Sequence, residues 1–64
     1  MNEIEKVKYL TDHWIEHTEE HAEELLRWAE IVENIEEGNE IAKVLRKASE
    51  KFKEAIEILK KIKD

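Results

Sequence analysis

From residue 41 onward, apolar side chains recur at Ile41, Leu45, Ala48, Phe52, Ala55, Leu59 and Ile62. Steps alternating between four and three return to one side of a helix, the heptad pattern of coiled coils and helix bundles. Asn39 is suited to cap that helix, because its side chain accepts from a free amide of the first turn. Gly38 suits the left-handed position that ends a preceding helix. The connection is therefore very short, and short connections make antiparallel neighbours.

The preceding segment predicts a first helix ending near Glu37, with a wider apolar stripe. Ile4, Val7, Thr11, Trp14, Thr18, Ala22, Leu25, Ala29 and Val32 share one face. Leu10, His17, His21, Trp28 and Ile35 lie beside them, about a quarter turn away at roughly 100° per residue. A helix that is apolar over half its circumference needs two neighbours. The expected fold is thus all-α, an antiparallel hairpin completed as a four-helix bundle by a homodimer, with twofold symmetry the commonest choice. Residues 1–64 form one helical domain, over four-fifths helix and without strand. Counting outward from the turn sets Lys63 level with about His13, so residues 1–11 lack a partner within the hairpin. Two arrangements fit them: a separate short helix over 2–10, with Thr11 capping the next, or a continuous helix that overhangs onto a second chain. Trp14, Trp28, Leu10 and Phe52 are the expected interface anchors.

Composition narrows the function. A 64-residue chain buries only about 60% of its unfolded surface and needs reinforcement. There is no cysteine, which excludes disulfides and thiolate metal sites. Residues 1–38 hold twelve acids and three bases, residues 39–64 five acids and eight bases, so the halves attract. The net charge of −6 argues against nucleic acid as a partner. Nothing resembles a signal peptide or membrane span, so a cytoplasmic location is expected.

The candidate chemistry lies in His13, His17 and His21, spaced by four within HWIEHTEEH. Residues at i and i+4 stack along a helix, and two such imidazoles chelate one divalent ion. All three cannot share an ion, since His13 and His21 are about 12 Å apart along the axis. The sets are His13 with His17 or His17 with His21, assisted by Glu20 or Glu24 or by a second chain. Every such set uses His17. Imidazole with carboxylate suits zinc, nickel, cobalt or copper(II) without choosing among them, and nickel, cobalt or zinc is the expected ion. Affinity is expected to fall below about pH 6, where imidazole takes up its proton. The run also matches H-x-x-E-H twice, a protease motif, but a hairpin has no cleft to position a peptide, and no enzyme activity is expected. Two other readings keep weight: histidines incidental on a helix surface, and histidines packed at an interface as a pH-sensitive contact.

The residues His13, Trp14, Ile15, Glu16, His17, His21, Ala22, Leu25, Trp28 and Ala29 resemble a small helical domain of archaea and bacteria. Its pattern is H-W-[IV]-E-H-x-x-x-H-A-x-x-[LF]-x-x-W-A. Thr18 departs from it, standing where the resemblance leads one to expect Asn. The resemblance implies an association with cobalt or nickel handling. Together these features lead to an expected metal-binding or metal-responsive accessory module. The alternative is an interaction adaptor that docks on a larger protein, its histidines structural.

Overall fold

The computed structural model describes residues 2–63 as two helices side by side. Helix α1 runs Glu3–Val32 and helix α2 Gly38–Leu59, followed by a 3-10 turn at Lys60–Ile62. The two α-helices, of 30 and 22 residues, make up over four-fifths of the chain, and the described residues contain no strand. The hairpin is a rod of 52 × 15 × 13 Å. No helix among the described residues is long and apolar enough to cross a membrane.

Asn2 starts α1: its Oδ1 accepts from the Glu5 amide at 2.8 Å, an N-cap bond across three residues. The helix then continues unbroken through Thr11, so the separate helix over 2–10 does not form. Thr11 does not cap. Its hydroxyl donates to the Val7 carbonyl one turn back at 2.7 Å, which satisfies it within a continuing helix. The N-terminal turns therefore overhang. Lys63 Nζ marks where pairing ends, donating to Asp12 Oδ2 at 2.8 Å and Lys8 O at 3.5 Å. That is within a residue of the level expected from counting. Arg46 and Glu33 join the helices near the turn at 3.1 Å. Exposed pairs of this kind add little stability, but they agree with the attraction between an acidic and a basic half.

The turn differs from expectation. Helix α1 ends at Val32 rather than near Glu37, because Ile35 N donates to Val32 O and Gly38 N to Ile35 O, closing two tight turns. Glu37, not Gly38, takes the left-handed conformation, at φ 69°. Gly38 is already the first residue of α2, so Asn39 is not its cap. Glycine is required at 38 by crowding: a Cβ there would lie 1.7 Å from the Val32 carbonyl oxygen. A non-glycine left-handed residue costs about 1 kcal/mol. Glu37→Gly should therefore stabilise the hairpin by up to about 1 kcal/mol, read as a higher urea midpoint at unchanged slope. An unchanged or lower midpoint would contradict this account of the turn.

The seam between the helices is built from small residues. Thr11, Ala22 and Ala29 of α1 are buried, as are Gly38, Ala42, Ser49 and Ile56 of α2. Ser49 Oγ donates across the seam to Ala22 O at 2.9 Å, which requires close backbones. The expected α2 seam is thereby corrected. Ile41 is 52% exposed and Phe52 and Ile62 are exposed too, because the helix is rotated to bring Ala42, Ser49 and Ile56 inward. Trp14 and Trp28 remain 41% and 51% exposed, and Leu10 is half-buried.

On both helices the open apolar residues lie on the same rotational side of the buried line, by the helical repeat. In an antiparallel pair this places them on one broad side of the rod. Val7, Trp14 and Trp28 of α1 thus share an uncovered face with Ile41, Val44 and Phe52 of α2. The opposite side carries charge, including Asp12, Glu19, Glu23 and Glu30 of α1 and Arg46, Glu50 and Lys53 of α2.

Candidate metal-binding pair

The first helix is rigid where it carries the histidines, being continuous for several turns on either side. The three imidazoles project along one edge of the uncovered face, all solvent-exposed. The structure distinguishes between the two possible pairs. His13 and His17 lie with ring planes 9° from parallel and centroids 6.1 Å apart. Ring-nitrogen lone pairs lie in the ring plane, so stacked rings direct them side by side and not toward one point. His17 and His21 are at 88° with centroids 4.5 Å apart, and their Nε2 atoms approach to 3.1 Å. That is hydrogen-bond distance, with the tautomers setting which ring donates, so two ring nitrogens already approach one another.

That spacing matches chelation. With metal–nitrogen bonds of about 2.05 Å, two donors lie about 2.9 Å apart at a right angle and about 3.35 Å at the tetrahedral angle. The observed 3.1 Å falls between them. A divalent ion held by both nitrogens sits to one side of the line between them, so a ring nitrogen aimed along that line turns by about 40° to ligate it.

The carboxylates are placed less simply. Glu24 Oε1 lies 3.8 Å from His21 Nδ1, on the side of the ring away from the convergent Nε2 pair. Within its own chain it is thus a partner for the far nitrogen and not a ligand beside the near one. Glu20 lies in a shallow acidic depression with Glu16, Glu19, Glu23, Glu24 and Arg27. Among the described residues, no group of three or more His, Asp or Glu is gathered closely enough to hold a metal. One chain therefore offers two convergent nitrogens.

Sequence reasoning passed over a second depression, lined by Glu19, Ala22, Glu23, Lys53, Ile56, Glu57 and Lys60. It straddles the two helices and is visible only once they are paired. Lys60 is held above its ordinary pKa mainly by its hydrogen bond to Glu57, and secondarily by the charge of that carboxylate.

Residues 7–64 match the family model described as Domain of unknown function (DUF8180). The chain is also similar to a protein of Archaeoglobus fulgidus described as "Uncharacterized protein", 48% identical over 62 residues and covering 95% of each chain. No solved structure shows a significant match. A family match spanning all but the first turn of α1 and the whole of α2 identifies the chain as a member of the Domain of unknown function family DUF8180.

Proposed function

We propose that this hairpin is a small accessory module that binds a divalent transition metal, nickel, cobalt or zinc, through His17 and His21. The observation that carries this reading is the 3.1 Å approach of the two Nε2 atoms from perpendicular rings. The resemblance of these residues, both histidines among them, to a helical domain associated with cobalt or nickel handling is in keeping with it. His13 stands outside the pair.

The reading includes a second copy of the chain, forming a four-helix bundle. A compact monomer of 7.7 kDa exposes about 4,300 Å². The hairpin exposes 5236 Å². The excess is close to the roughly 800 Å² that each partner buries in an interface of ordinary size. The hairpin core is mostly alanine, and burying so few methylene groups provides little driving force at about 0.8 kcal/mol each. Covering Trp14, Trp28, Leu10 and Phe52 supplies what the seam does not.

Metal binding should stabilise the folded protein, since the unfolded chain holds no convergent pair. At a hundredfold excess over Kd the gain is about 2.7 kcal/mol, on the order of 10–20 °C in Tm. Thermal melts with nickel, cobalt or zinc, reversed by a chelator, measure this, and the absence of any shift with all three metals would overturn the proposal. The uncovered face also favours the second reading, an adaptor docking on a larger protein. That reading expects a stoichiometric complex indifferent to chelator and to His17→Ala.

A further inference from the structure

The two-nitrogen site in one chain is incomplete, and the uncovered face suggests how a second copy completes it. On α1 the face is symmetric about His21: Trp14 and Trp28 stand seven residues to either side, and Leu10 and Val32 eleven. On α2 the matching residues are Ile41 and Ile62, Val44 and Leu59, Ala48 and Ala55, symmetric about the point between Lys51 and Phe52. A regular heptad has such a centre every half repeat, so either helix alone says little. The agreement between the two helices restricts the choice. The Ser49–Ala22 and Lys63–Asp12 contacts set His21 level with about residues 50 to 54, the level of the α2 centre. A single twofold axis lying in the plane of the uncovered face, perpendicular to the helices, then sets α1 against α1 and α2 against α2, each antiparallel to its counterpart.

This axis decides what meets the histidine pair. Each residue of α1 faces the one equally far beyond His21 in the second copy. Glu24, three residues beyond, comes level with Thr18, between His17 and His21. His17 and Glu24 are seven residues apart and so share one edge of α1, within about 20°. The axis keeps that edge beside its counterpart, with helix axes about 8–10 Å apart.

We infer that each metal is held by His17 and His21 of one copy and Glu24 of the other, giving two equivalent sites per dimer. The inference rests on the metal-binding reading of the pair. It gives Glu24 two contacts: its own His21 Nδ1, and the ion of the second copy. It also makes assembly depend on metal. The first 38 residues carry twelve acids against three bases, so α1 against α1 brings like charges together. An ion at each site offsets that repulsion.

The test is complementation between variants whose changes fall on exposed side chains. The double variant His17→Ala/His21→Ala should bind zinc more than about a hundredfold more weakly than wild type, and the single variant Glu24→Ala at least about tenfold more weakly. Mixed, they should recover tight zinc binding. In the mixed dimer the histidines of one chain meet the Glu24 of the other, giving one intact site. Zinc should also shift the wild-type protein toward dimer in sedimentation. Spin labels on Ile4→Cys should then lie about 50 Å apart in the zinc-loaded dimer, from the helical rise. A mixture that recovers nothing, with wild type binding zinc tightly, overturns the shared site and leaves the metal reading standing. A label separation within about 20 Å means α1 packs on α2 of the second copy and also overturns it. Wild type that binds neither zinc, nickel nor cobalt removes both readings.

Discussion

Gly38→Ala should cost on the order of 3 kcal/mol, most of the stability that a core of this size provides. The added Cβ would meet Val32 O at 1.7 Å and Val32 C at 2.8 Å. Both are backbone atoms, so no flexible side chain can give way. The turn must open, which breaks the Gly38 N to Ile35 O bond of 2.7 Å and displaces the start of α2. The seam then suffers, because Ala42 and Ser49 pack only where the backbones are close. Urea or thermal unfolding followed by far-ultraviolet dichroism measures the loss. A Gly38→Ala protein within about 0.5 kcal/mol of wild type, the range of an ordinary surface change, would mean the turn is not built as described. The contrast with Glu37→Gly is informative. Adjacent residues are expected to respond in opposite directions, one relieved of left-handed strain and the other pressed into a carbonyl.

Those two positions also show what the sequence made legible. A turn beside a single glycine was evident, and the antiparallel hairpin follows from it. Which residue takes the positive φ was not evident, because glycine is the natural candidate and crowding by Val32 appears only in three dimensions. The α2 seam is hidden from the sequence for a related reason. Apolar periodicity weights large side chains, so it selected Ile41, Phe52 and Ile62, which belong to the uncovered face. The line that packs on α1 is Gly38, Ala42, Ser49 and Ile56. A short turn brings the helices close, and close helices accept small residues. Spacings of seven from Ala22 to Ala29 and from Ala42 to Ser49 were the available signal. Asn2 three residues before Glu5 was a readable helix start as well, whereas Thr11 offered a competing cap that its hydroxyl bond to Val7 overrides.

The candidate site was partly legible. The four-residue spacing placed His13, His17 and His21 along one edge of α1 and required any pair to include His17. It could not choose between the two pairs, because that choice depends on rotamers. Stacked rings at 6.1 Å and perpendicular rings at 4.5 Å separate them. Nor could spacing show that Glu24 sits behind its own His21, at Nδ1.

The most direct measurement of the central claim is a calorimetric titration of nickel, cobalt and zinc into wild type, His13→Ala, His17→Ala and His21→Ala at neutral pH. Each imidazole ligand contributes through a nitrogen within about 2.1 Å of the ion, and a single remaining histidine is no chelate. His17→Ala and His21→Ala should therefore lose comparable and large parts of the affinity, about a hundredfold or more, with His13→Ala indistinguishable from wild type. This sharpens what spacing alone supports, in which His17 outranks both neighbours. Loss of binding in His17→Ala and His21→Ala, with His13→Ala unaffected, is the predicted result. Equal binding by all four proteins, or a loss in His13→Ala matching that in His21→Ala, would contradict it.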